Sequence, residues 1–200
     1  MVRRKWIARL FAVAAAVVVS GTAQAGIIPA SVTVTPDGGN FRWSYAIVLP
    51  TNMALMSGNS FTIYDVAGVV PGTVTAPAGW TASLGMNTTP PAGLHPTDNG
   101  KAPDLTYTYM GTTIPSGQVG LGTFSFDSTI GKGAPVDFTA QNPQASTGNI
   151  DRNIVSTTGP ATPGTNGGHN PTGTPEPTTL ALAGLGLPFV GMARMWRKRK

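Results

Sequence analysis

The 200-residue sequence contains no cysteine. No disulfide can staple it, and no thiolate zinc site can be built from it. Any folded part must rest on its own apolar core. Histidine is nearly absent, with only His95 and His169, and Glu176 is the sole glutamate. A glycoside hydrolase would therefore have to draw its carboxylate pair from aspartates. No Gly-x-Ser-x-Gly elbow is present to seat a Ser-His-Asp triad. Gly131-Lys132-Gly133 lacks the spacing of a phosphate-binding loop. Helical periodicity of useful length is missing between the two ends, and no fixed-period repeat marks a solenoid or propeller.

Charge is sparse and unevenly placed. The formal net charge is +5, from 13 basic and 8 acidic residues. Arg3, Arg4, Lys5 and Arg9 lie at one end, and Arg194, Arg197, Lys198, Arg199 and Lys200 at the other. The stretch between keeps only Arg42, Lys101, Lys132 and Arg152 against all eight acids, a net charge of −4. The pI near 9.9 thus belongs to the ends. A nucleic-acid role is excluded on this ground, because the body has no basic patch to meet phosphates.

Both ends read as targeting segments. A basic start, Met1 to Lys5, precedes an unbroken apolar run at residues 10–19 and an Ala23-Gln24-Ala25 cleavage site. This is the order of a secretory signal peptide, with cleavage after Ala25 and Gly26 as the mature N-terminus, so signal peptidase and the secretion machinery are expected partners. Arg3-Arg4 ahead of Trp6-Ile7 leaves twin-arginine export open beside general secretion. At the other end, Pro175-Glu176-Pro177 precedes a 16-residue run at 178–193 and then the basic cluster. As a helix that run spans roughly 24 Å, short of the roughly 30 Å of a hydrocarbon core. Trp196 can sit at headgroup level, and the basic cluster resists translocation and favours anionic lipid. A polar site, a short apolar tail and a basic stop form the logic of a processed C-terminal signal.

These three elements, in this order over residues 175–200, resemble the PEP-CTERM protein-sorting tail, also labelled the C-terminal domain of ice-binding proteins. The resemblance implies recognition by exosortase, a membrane transpeptidase, and then release or attachment at the cell surface. It also implies a bacterial setting of exopolysaccharide and biofilm matrix, with exopolysaccharide as a further expected partner.

The stretch between reads as strand. Val32 and Val34 alternate with Thr33 and Thr35, and Asp37-Gly38-Gly39-Asn40 is a turn. Phe41, Trp43, Tyr45, Ile47 and Leu49 fall on every second position. Further strand signals are residues 61–66, Trp80 to Leu84, Leu105 to Tyr109, Phe124 to Asp127, Val136 to Thr139 and Asn153 to Ser156. Eight short strands with Gly- and Pro-rich turns predict an all-β fold: a single antiparallel β-sandwich, immunoglobulin-like or jelly-roll-like. A signal helix and a short transmembrane helix are expected to flank it. The domains are a signal peptide at 1–25, the sandwich at 26–156, a disordered linker at 157–174 and the sorting tail at 175–200. The linker holds 6 Thr, 5 Gly and 3 Pro in 18 residues, a composition with too little apolar surface to bury. It is a candidate for O-glycans.

Candidate chemistry is thin. His95 reads as a surface loop residue, and His169 falls in the linker. Asp65, Asp98, Asp104, Asp127 and Asp137 are the available carboxylates, with Asp127 and Asp137 the first pair to inspect. Calcium is the one metal that turns such as Asp98-Asn99-Gly100 or Asp37-Gly38-Gly39-Asn40 suit, but both read more simply as β-turns. No catalytic residue, metal site or cofactor is expected. Asn87-Thr88-Thr89 is a glycosylation sequon of little weight here. The loops at 50–59, with Met53 and Met56, and 85–103 are where binding would sit. Trp80 is a better sugar-stacking candidate than Trp43, though both favour the core. The resulting expectation is an exported structural or adhesive surface or matrix protein, not an enzyme. A carbohydrate- or ice-binding module is the alternative, signalled by a flat row of Thr33, Thr35, Thr106 and Thr108. A secreted hydrolase is a more distant one, signalled by a cleft gathering two aspartates, or His95 with Asp98.

Overall fold

A computed structural model describes residues 26–160. The expected signal peptide, most of the linker with His169, the sorting tail and both flanking helices lie outside the described residues.

The described residues contain no helix. Eight strands form: β1 (Ile28–Asp37), β2 (Asn40–Leu49), β3 (Ser60–Ile63), β4 (Trp80–Gly85), β5 (Asp104–Tyr109), β6 (Val119–Ser128), β7 (Gly133–Pro143) and β8 (Ile150–Pro160). They make a three-stranded sheet ordered β1-β2-β6 and a five-stranded sheet ordered β4-β5-β3-β7-β8. Every pairing is antiparallel. The Asp37–Asn40 turn closes the β1–β2 hairpin, with Gly38 at φ 54° and Gly39 at φ 93°. Two consecutive left-handed residues are what a tight two-residue hairpin requires, and glycine takes that conformation without a steric penalty.

Period-2 patterning assembles the core. Trp43, Tyr45, Ile47 and Leu49 are buried, while the residues between them remain partly exposed. Leu105, Tyr107 and Tyr109 do the same on β5. Phe61 from the five-stranded sheet meets Phe124 from the three-stranded sheet edge-on, with ring centroids 4.9 Å apart. Tyr107 and Trp80 contact the same Phe124 at 4.9 Å and 5.1 Å. The two sheets therefore pack face to face through an aromatic cluster, which supplies the cohesion that disulfides would otherwise provide. Trp43 and Trp80 both serve this interior, Trp80 half-buried against Phe61, Tyr109 and Phe124. Trp80 is thus no exposed sugar platform.

Three sequence expectations need correction. The 61–66 run stops pairing at Ile63, because Asp65 turns left-handed at φ 54° and takes the chain out of the sheet. The linker does not begin at residue 157. β8 runs on to Pro160, with Thr157, Thr158, Gly159 and Pro160 paired to Val136, Pro135, Ala134 and Gly133. Composition misjudged this segment because its backbone, not its side chains, holds it. The Thr158 carbonyl accepts the Tyr45 hydroxyl at 2.9 Å, and the Pro160 carbonyl accepts the Ala67 N–H at 3.0 Å. The third concerns the threonine row. Thr33 and Thr35 lie on β1 and Thr106 and Thr108 on β5, in different sheets, so the four form no common row.

Candidate functional site

The polar side of the five-stranded sheet carries a concentration of buried hydroxyl and carboxylate side chains. Alternation puts Thr108, Thr106 and Asp104 of β5 on the face away from the core. Ser60 and Thr62 of β3 and Gln141, Thr139 and Asp137 of β7 share it. Register aligns them as cross-strand rows, Thr108–Ser60–Gln141 and Thr106–Thr62–Thr139. Thr62 and Thr106 hydroxyls are 2.9 Å apart, and the Tyr64 and Thr139 hydroxyls 3.2 Å apart. Thr62, Thr139, Asp104 and Asp137 are buried although they face outward. The 85–103 loop covers them.

Aspartates hold that loop down. Asp104 Oδ2 accepts the Thr88 N–H at 2.8 Å, and Asp137 Oδ2 accepts the Thr97 N–H at 2.6 Å. Asp65 Oδ1 accepts the Asn99 N–H at 3.4 Å, while the Asp65 N–H donates to Asp104 Oδ1 at 3.1 Å. Asp98 Oδ1 closes its own turn on the Gly100 N–H at 2.8 Å. Carboxylate oxygens of Asp65, Asp98 and Asp104 come within 4.8 Å of one another. Burial, reinforced by the carboxylates of Asp98, Asp104 and Asp137 and opposed by the Asn99 N–H, pushes the Asp65 carboxyl up to about 6. Burial also raises Asp104, against backbone donors from Thr88 and Asp65. Burial raises the Tyr64 hydroxyl, and the same aspartates add to it. Three carboxyls this close can share a proton or an oxygen-preferring cation such as calcium.

Beside this cluster lies a groove of about 240 Å³, walled by Thr88, Thr89, Pro90 and Pro91 of the loop and floored by Thr106, Thr139 and Gln141. None of the aspartates lines it. It is neutral, hydroxyl-rich and smaller than the roughly 300–1,000 Å³ of a drug-sized pocket.

The pair singled out from sequence is not brought together. Asp127 sits on β6, held by Arg42 Nε at 2.8 Å and Arg42 Nη2 at 3.1 Å, whereas Asp137 sits on β7 of the other sheet. That guanidinium holds the Asp127 carboxyl below the usual range. The structure gathers Asp65, Asp98 and Asp104 instead. Asp98-Asn99-Gly100 is the turn that was expected, but it also delivers Asp98 to the cluster. His95 is exposed on the loop. Met53 and Leu55 of the 50–59 loop are core residues, and Met56 is exposed. Sequence reading missed Asp65 with Asp104 because they are 39 residues apart. The available signal was an aspartate closing one strand run (Asp65) and another opening a later one (Asp104), which antiparallel pairing brings to the same end of the sheet.

No curated protein matches the chain. Residues 174–200 match the family model of the PEP-CTERM protein-sorting motif, which covers the expected Pro175-Glu176-Pro177 element, the apolar run and the basic cluster. The chain therefore carries a PEP-CTERM sorting signal, which marks it for export and for recognition by a membrane exosortase on the way to the cell surface or extracellular space.

Proposed function

We propose that the β-sandwich is a structural or adhesive module of the cell surface or extracellular matrix, with no catalytic activity of its own. The observation that carries this reading is where the buried carboxylates are spent. Asp104 and Asp137 accept backbone N–H groups of the covering loop, and Asp127 is clamped by Arg42. The groove contains none of them. Buried charge thus maintains shape and does not face a substrate, as suits a load-bearing body on a sorted tail. The test compares the matrix of cells with and without this protein. Lost cohesion or attachment with unchanged extracellular hydrolase activities supports the reading. An intact matrix with a lost hydrolytic activity overturns it.

A second reading has its own observation. The neutral groove of threonine hydroxyls, Gln141 and two prolines suits a single sugar ring of a neutral exopolysaccharide. Nuclear magnetic resonance titration with cellotetraose and maltotetraose tests it, with shifts expected at Thr106, Thr139 and Gln141. The threonine rows of β3, β5 and β7 do not suit an ice surface, because Thr62 and Thr139 are buried under the loop.

A further inference from the structure

Two asparagines stand on the inner face of the five-stranded sheet, with Asp151 of β8 paired across from Asn142. Asn142 of β7 is fully buried and Asn153 of β8 is 8% exposed, and Asn153 pairs across from Ala140. Buried amides need partners for both ends. Asn142 Oδ1 accepts the Ile27 N–H at 3.0 Å, and its Nδ2 donates to the Ala54 carbonyl at 3.0 Å. Asn153 Nδ2 donates to the Ile27 carbonyl at 3.2 Å, which fixes the way its amide faces. Asn153 Oδ1 has no protein partner. It lies against Gly26. A methyl group on Gly26 would come within 2.5 Å of Asn153 Oδ1 and 2.7 Å of Asn142 Oδ1. Only glycine can bring its backbone this close.

We propose that this is a binding site for a primary ammonium group, and that its ligand is the chain's own N-terminus, created by cleavage between Ala25 and Gly26. In that step signal peptidase adds water across the peptide bond. The C–N bond breaks, Ala25 leaves as a carboxylate, and the Gly26 nitrogen takes up a proton as an α-ammonium. Before the cut that nitrogen carries one N–H in a planar amide, with its direction set by the peptide plane. After the cut it is tetrahedral with three donors, free to turn toward Asn153 Oδ1. A charge-assisted hydrogen bond to a buried acceptor is among the stronger ones. A side chain on the residue after the cut would meet both asparagine oxygens, so glycine suits this position. Ile27, the next residue, is fully buried and gripped at both its N–H and its carbonyl by the two asparagines, which holds Gly26 in place beside them. Removal of the leader thus supplies the donor that Asn153 Oδ1 lacks.

The experiment uses the protein recovered from exporting cells. Terminal sequencing should read Gly26-Ile27-Ile28. Reductive methylation with labelled formaldehyde should then modify the Gly26 amine about tenfold more slowly than the free peptide Gly-Ile-Ile, the factor that one charge-assisted bond supplies. Asn153→Ala should bring the rate up toward that of the peptide, and Asn153→Asp, which adds a charge partner, should slow it further. The wild-type rate decides the matter even where a variant does not fold. A mature terminus other than Gly26, a wild-type amine that reacts as fast as the peptide, or rates indifferent to both Asn153 variants would overturn the proposal.

Discussion

Arg42 and Asp127 face each other across the β2–β6 ladder, with Arg42 Nε donating to Asp127 Oδ1 at 2.8 Å and Nη2 to Oδ2 at 3.1 Å. The same guanidinium reaches Asp37 at the tip of the β1–β2 hairpin, at 3.0 Å. A two-pronged bond of this kind fixes direction as well as charge. Arg42→Met should lower the melting temperature by a few degrees. The loss should be largest near neutral pH. Asp127 is held below its ordinary value, so its contribution is present above that value and is lost as pH falls through the folded one. Thermal melts of both proteins from pH 2 to 7 should converge at the acid end.

Asp65 should behave with the opposite sign. Its folded value is pushed up to about 6, so between about pH 4 and 6 the folded protein holds a proton that the unfolded chain has released. Stability therefore declines as pH rises through that window, and the penalty is complete above it. Asp65→Asn keeps an acceptor for the Asn99 N–H and tolerates the left-handed φ of 54°. It should raise stability at pH 7 by on the order of 1–2 kcal/mol and flatten the pH dependence in denaturant titrations.

Phe61 joins the two sheets. Its ring contacts Trp80, Tyr107, Phe124 and Phe138, with centroids between 4.9 Å and 5.5 Å away. Phe61→Ala should cost about 3–5 kcal/mol, read from the urea midpoint at unchanged slope. In a cysteine-free domain this is a large share of the total stability.

The end of β8 sets the domain boundary. A chain ending at Pro160 should melt like one ending at Thr174. A chain ending at Ser156 should melt several degrees lower, because it loses the carbonyls that Tyr45 and Ala67 use.

Much of this architecture is legible in the sequence, and the rest is not, for identifiable reasons. Phe41 to Leu49 declares its buried face by strict alternation, and the Asp37–Asn40 turn is written in its two glycines. Residues 157–160 give no side-chain signal because the sheet holds them by backbone alone. Asp65 looks like part of a strand until its backbone conformation is known. The Asp65, Asp98 and Asp104 cluster depends on β3–β5 register, and the Gly26 cradle on β7–β8 register, neither of which composition encodes. The sorting tail is the converse case, since order alone identifies it without any fold.

The claim on which the account turns is that the chain is exported and sorted through residues 174–200. Mass spectrometry of the native protein, fraction by fraction, in cells with and without the sorting enzyme tests it most directly. Normal cells should yield a surface or extracellular species lacking the basic cluster from Arg194 to Lys200, and cells without the enzyme a membrane-retained species still carrying it. An intact chain in the cytosol, or an identical tail-bearing species in both strains, would contradict it.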